Sequence, residues 1–227
     1  MKLIIFDIDG TLTDTNHIDH VAYKAAFKQM TGVELTDSDW HDALHFTDLG
    51  IFVEQFEKYF KRLPAEEEVE NIKGIILGYY ERVQAEQPEF FKAIDGAIEL
   101  LQELGNDPRY KLAIATGCWS FSARFKLSKA GFQFSHIPMG QSDHHISREE
   151  ITHDAIRKSK EQYAMEWFEK IIYIGDGAWD YRTTKKLGIP LIGIDYHNTG
   201  KLRDLGQEVI LKDYTDQDAF YTFVENL

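Results

Sequence analysis

Two kinds of hydrophobic pattern divide the 227-residue chain. From Lys111 onward, wholly apolar runs alternate with amphipathic ones. KLAIATG (111–117), IIYIGDG (171–177), PLIGIDY (190–196) and the short EVIL (208–211) read as strands. Runs apolar at every position mark strands buried on both faces. Phe121, Phe125 and Leu127 open a helical pattern after the first run, and Tyr181, Thr184 and Leu187 do so after the second. The opening segment, residues 2–8, is a strand of the same type. Buried strands separated by helices predict a Rossmann-like, doubly wound parallel α/β sheet.

The character changes between Thr15 and about Phe91, where no convincing strand occurs. Val69, Ile72, Ile76, Tyr79 and Val83 follow helical spacing, as do Phe52, Phe56, Tyr59 and Leu63. Gly32 and Pro64 mark helix ends. Four or so helices are expected here, before a helix carrying Ala97, Leu100, Leu101 and Leu104 leads back to the sheet. The expected division is a core of residues 1–14 and 93–227 and an inserted α-helical cap of residues 15–92. Such an insert sits over the carboxyl ends of the strands, where open α/β sheets bind ligands.

Composition narrows the partners. The chain is 43% apolar and 28% charged, with no apolar stretch of membrane-spanning length and no signal-peptide pattern. A single cysteine, Cys118, excludes an internal disulfide and multi-cysteine zinc sites. A cytoplasmic protein is expected. The net charge of −13 argues against nucleic acid and anionic membranes. A small anionic substrate then requires a local cation or a metal. Oligomeric state is not legible.

Candidate chemistry collects at the strand ends: Asp7 and Asp9, then Thr116 and Gly117, then Asp176 and Asp180. In a parallel sheet these tips lie side by side, and carboxylates on one rim repel unless a cation joins them. Hard oxygen donors without a cysteine or histidine set favour Mg²⁺, which also binds phosphate. Asp7 and Asp9 are two residues apart and can face one way in an extended chain. Such a pair can divide labour, one carboxylate as nucleophile and the other as proton shuttle.

Asp7-Ile8-Asp9-Gly10-Thr11-Leu12-Thr13-Asp14, Thr116 and Gly175-Asp176-Gly177-Ala178-Trp179-Asp180 stand in an order that resembles the haloacid dehalogenase superfamily. Within it, the chain is similar to the branch of phosphoglycolate phosphatases and β-phosphoglucomutases with a helical cap. The resemblance implies a phosphatase in which Asp7 becomes an aspartyl phosphate and Asp9 serves as acid, then base. It implies Mg²⁺ held by Asp7, the Asp9 main-chain carbonyl and Asp176, with Asp180 close behind. Thr116, Gly117 and following helix N-terminal amides would hold the phosphoryl oxygens. The family's usual Lys before the last acidic motif is absent. Arg148, 28 residues before Asp176 and in the first turn of a helix capped by Ser147 and Glu150, is the stand-in.

The rival readings are a phosphomutase, a phosphonatase using Lys24 or Lys28, and a non-enzymatic phospho-acceptor module. A dehalogenase is disfavoured, because those enzymes lack an acid two residues after the nucleophile. In the mutases a basic residue of the first cap helix helps gate the counterpart of Asp9; the matching position here is Asp19, with His20 displaced by one. Asp14 reads as a hinge or helix cap, Thr47-Asp48 as a helix start, and His144-His145 as a polar loop. His17, His20, His41 and His45 read as surface or boundary residues of the insert. Lys158 and Lys160 read as solvent-facing, and Cys118 as inert.

Overall fold

The computed structural model describes residues 1–41 and 43–227, apart from the side chains of Trp40 and His41. His41, read above as an insert surface residue, therefore lies outside the described side chains. Six strands form one sheet: β1 (Lys2–Phe6), β2 (Tyr110–Ala115), β3 (Met139–Gly140), β4 (Lys170–Gly175), β5 (Leu191–Ile194) and β6 (Ile210–Leu211). Their order is β3-β2-β1-β4-β5-β6, and every neighbouring pair is parallel. The expected doubly wound sheet is present.

Alternation along each strand sends side chains to two separate cores. Ile4 and Phe6 of β1, Leu112 and Ile114 of β2, and Ile172 and Ile174 of β4 pack on one face. Leu3, Ile5, Ala113, Ala115 and Tyr173 pack on the other. Both faces exclude water, which is why the strands read as unbroken apolar runs. Helices α5 (Ala97–Asn106) and α10 (Gln217–Asn226) cover the first face. Helix α7 (Arg148–Gln162) covers the second, and α8 (Ala178–Leu187) packs beside it against β4 and β5. The remaining core helices are α6 (Ser120–Lys129) and the short α9 (Lys201–Asp204).

Between β1 and α5 come α1 (Asn16–Thr31), α2 (Asp37–His41), α3 (Asp48–Phe60), α4 (Glu66–Glu86) and a 3-10 turn (Pro88–Phe91). Helix α1 ends on Gly32 at φ 78°, a left-handed conformation that favours glycine. Thr47 starts α3 by accepting the Gly50 N–H at 3.0 Å. Lys61 turns left-handed and stops α3 at Phe60, so Leu63 falls off the expected stripe and is 63% exposed. Tyr23, Phe27, Phe52, Phe56, Ile76 and Tyr80 form a third apolar cluster, joined by fully buried Trp119 from the sheet side. Trp119 thus seats the helical layer on the core.

The chain crosses between layers twice, and Asp14 links the crossings. Its N–H donates to Lys92 O at 3.0 Å, while its carboxylate meets Lys92 at 3.3 Å and His197 at 2.7 Å. Asp14 is not the cap of α1; Thr15 is the residue at its N-cap. Among the described residues, no helix is long and apolar enough to cross a membrane. Ile4 is fully buried on the central strand. Ile4→Ala should cost about 2–5 kcal/mol, read as a lower urea midpoint with an unchanged slope. An unaltered midpoint would contradict this packing.

Candidate active site

Strand register assembles the site. Phe6 pairs with Ile114 on one side and Ile174 on the other, so the three chains leave the sheet at one level. Beyond Phe6 the backbone turns sharply: the N–H groups of Thr11, Leu12 and Thr13 all donate to Ile8 O. Gly10 sits at φ 72°, and a Cβ there would lie 2.1 Å from Asp176 Oδ2. Only glycine satisfies both the turn and that close approach. Asp7 and Asp9 are buried and line a cavity of about 410 Å³ with Gly117, Cys118, Arg148 and Asp176.

One carboxylate cluster comprises Asp7, Asp176 and Asp180, with an oxygen of each within 4.8 Å of the others. Arg148 Nη1 lies 3.2 Å from Asp7 Oδ1 and 3.7 Å from Asp180 Oδ1. Its Nε donates to Phe46 O at 2.8 Å. The guanidinium lies against Gly117, where a Cβ would come within 2.6 Å of Nη2. One guanidinium among three acids, Asp7 and Asp180 buried and Asp176 half-buried, leaves uncompensated negative charge. Asp176 is therefore raised well above its ordinary pKa by burial, then by the charges of Asp180 and Asp7. Asp180 is pushed up to about 8 by burial and by Asp7, against the pull of Arg148. Burial also raises Asp7, with Arg148 opposing.

Asp176 Oδ2 accepts from Asn16 Nδ2 at 2.9 Å, and Asp180 Oδ2 from the Gly177 N–H at 3.0 Å. The other oxygen of each, together with Asp7 Oδ1, is buried without a hydrogen bond. Buried oxygens are ordinarily satisfied. Three neighbouring carboxylates, each with an oxygen that lacks a hydrogen bond, suit a hard divalent cation, and the donor set fits Mg²⁺.

A second cluster, Asp9, Asp19 and Cys118, has similar spacing but already contains a cation. Fully buried Lys126 of α6 places Nζ 2.8 and 2.9 Å from the two Asp9 oxygens, 2.5 Å from Asp19 and 3.3 Å from Cys118 Sγ. Thr15 and the Cys118 thiol also donate to Asp9, at 2.5 and 2.9 Å. Burial would raise Asp9, yet Lys126 and these donors hold it below its usual value. Burial, reinforced by Asp9, pushes the Cys118 thiol well up, which suits an inert cysteine.

Thr116 is fully buried, and its hydroxyl accepts the Cys118 N–H at 3.2 Å. Two of the amides that follow Gly117 have partners remote in sequence. Trp119 N–H donates to Asp48 at 2.8 Å and Ser120 N–H to Asp143 at 2.7 Å. Asp48 does more than start a helix: it is buried and raised well above its ordinary pKa, first by burial and then by Asp19. Lys158 is half-buried rather than solvent-facing, bonded to Met139 O and Asp154. Lys24 and Lys28 pair with Asp37 and Glu34, away from the cavity lining. His20 borders the cavity, whereas His144 is exposed and His145 lies 3.8 Å from Asp154.

Lys126 was absent from the sequence candidates, although a signal existed. At 100° per residue, Ser122 and Lys126 fall between the Phe121/Phe125 and Ala123/Leu127 stripes. They occupy the middle of the buried arc.

The family model described as haloacid dehalogenase-like hydrolase matches residues 4–194. A curated phosphoserine phosphatase from Archaeoglobus fulgidus is 25% identical over 222 residues, covering 93% of this chain and 57% of that protein. The chain thus spans little more than half that relative's length. A solved hydrolase from Pseudomonas syringae has a TM-score of 0.72 at 22% identity, with 95% of each chain covered. CbbY from Rhodobacter sphaeroides, in complex with phosphate, has a TM-score of 0.65 at 16% identity, covering 94% of this chain and 95% of that one. At these identities the structural likeness establishes the fold.

The raised carboxyls predict proton-linked metal binding. A cation bound there works against the proton on Asp180, whose pKa is pushed up to about 8. Without the cation, the stability contributed by the raised Asp180 is present in full below its unfolded pKa. It is lost as pH rises through about 8. The rise in melting temperature on adding Mg²⁺ should therefore grow between pH 6 and 8. Scanning calorimetry reads this directly. A pH-independent rise would contradict the assignment.

Proposed function

The chain belongs to the haloacid dehalogenase-like hydrolases, and from that premise we propose that it is a Mg²⁺-dependent phosphatase of a small phosphorylated metabolite. The observation that carries this reading is Asp7. It lies buried in the cavity lining beside Arg148, with the carboxylates of Asp176 and Asp180 adjacent. The name of the phosphoserine phosphatase relative supports a phosphomonoester as substrate.

In this mechanism an Asp7 carboxylate oxygen forms a bond to phosphorus as the bond to the leaving oxygen breaks. Asp9, ionised in the free site, relays to the leaving oxygen the proton that a phosphomonoester monoanion brings with it, then takes one from the water that cleaves the aspartyl phosphate. Arg148 keeps its charge under the pull of Asp7 and Asp180 and steadies the phosphoryl oxygens. Gly117 lets the guanidinium and the phosphoryl group approach closely. Asp7, Asp176 and the Asp9 carbonyl would hold Mg²⁺, with Asp180 behind them. The ion, when bound, offsets charge on these acids and on the phosphoryl group.

Residues 15–92 serve as the cap. They bring Asn16, Asp19 and His20 from α1 and Phe46, Thr47 and Asp48 from the α3 entry to the cavity. Phe46 stacks on Trp179 with centroids 4.4 Å apart, joining insert to core at the cavity wall. A cap seated this way shields the reacting groups from bulk water and selects the leaving group. Asp19 puts an acid where the mutases carry a basic gate, which favours transfer to water.

Incubation with p-nitrophenyl phosphate and Mg²⁺ should release phosphate steadily. A stable phosphoprotein without turnover would instead support a phospho-acceptor module. Asp7→Asn should abolish phosphate release with an unchanged circular dichroism spectrum; surviving activity would refute Asp7 as nucleophile. Arg148→Ala should lower kcat about 10²-fold, the scale of losing one transition-state donor. An unchanged rate would remove Arg148 from the phosphoryl site. A screen of phosphorylated metabolites ranked by kcat/KM would identify the substrate.

A further inference from the structure

Lys126 lies outside the chemistry assigned above, yet it is fully buried at the junction of three elements. A buried ammonium persists only when paired and hydrogen-bonded. Here the pairing is lopsided in a useful way. Nζ straddles Asp9, 2.8 Å from Oδ1 and 2.9 Å from Oδ2, so it fixes the torsion of the carboxylate. On its far side Nζ is tied at 2.5 Å to Asp19 of α1, which also accepts the Tyr80 hydroxyl of α4. The Tyr80 ring lies beneath the ammonium, 5.7 Å from Nζ to centroid. Asp9 itself sits on a loop, beyond the β1 ladder that would otherwise hold it.

We propose that Lys126 is a positioning residue for Asp9, aiming its carboxylate at the leaving oxygen and taking its own alignment from Asp19 on the first insert helix. Simple neutralisation would be met by either acid alone. The two-oxygen grip on Asp9 and the opposed anchor on Asp19 are what orientation requires. Thr15 and Cys118 each touch one Asp9 oxygen, whereas Lys126 spans both. The inference rests on the reading of Asp9 as the group that serves the leaving oxygen.

Leaving-group dependence tests it. Benzyl phosphate and p-nitrophenyl phosphate are similar in size, but only the first leaves as an alkoxide that needs a proton. Their kcat/KM values, which cover the steps through leaving-group departure, are compared at each variant's own pH optimum. Lys126→Met should lower kcat/KM for benzyl phosphate at least tenfold more than for p-nitrophenyl phosphate, because a positioned acid contributes roughly 10²–10⁴-fold. Equal losses on both esters, or none, would overturn the proposal. Asp19→Asn keeps the shape of the junction and carries the test if Lys126→Met does not fold. It should widen the same ratio at least threefold, and an unchanged ratio counts against the proposal. Asp9→Asn is the control. If it shows no selective loss, the acid role of Asp9 fails and this inference falls with it; if it does and the Lys126 variant does not, only the inference fails.

Discussion

Mutual repulsion of buried and half-buried carboxylates governs this structure. Asp7, Asp9, Asp19, Asp48, Asp176 and Asp180 all reach the ends of the central strands or the helices seated above them. Left alone, such a gathering would protonate or splay. Two internal cations divide it instead. Arg148 attends Asp7 and Asp180, and Lys126 attends Asp9 and Asp19. The division is unequal. Lys126 hydrogen-bonds both acids of its cluster, while Arg148 meets Asp7 Oδ1 and Asp180 Oδ1 as ion pairs without a hydrogen bond and does not reach Asp176.

That asymmetry turns two similar acidic groups into different instruments. Around Asp9, the ammonium, thiol and hydroxyl form a complete hydrogen-bonded shell, and the carboxyl is held below its ordinary pKa. Around Asp176 and Asp180, burial and like charge raise the carboxyls, which suits the divalent cation proposed there. The fold supplies the geometry by register: with Phe6 level with Ile114 and Ile174, residues remote in sequence emerge together. The insert completes the arrangement, since Asp19, Asp48 and the Phe46 carbonyl all reach groups on the core.

The sheet was legible because double burial writes unbroken apolar runs. The Met139–Gly140 strand was not, since two residues cannot display a period. The acidic tips were legible for a related reason: aspartates directly after KLIIF and IIYIG break strand chemistry conspicuously. Arg148 could be placed from its capping box, which the structure contains. Lys126 was overlooked because a lone lysine on a helix defaults to solvent. Finding it required setting its angle against the flanking apolar stripes. The use of Asp48 and Asp143 to occupy the amides at the start of α6 lay beyond sequence reading, because those partners are remote in sequence.

The most direct measurement locates the divalent ion. Crystals soaked in Mn²⁺, a Mg²⁺ surrogate with anomalous scattering, should show one strong peak bounded by Asp7 and Asp176, with Lys126 still between Asp9 and Asp19. A peak inside the Asp9–Asp19–Cys118 group, with the ammonium displaced, would contradict the account.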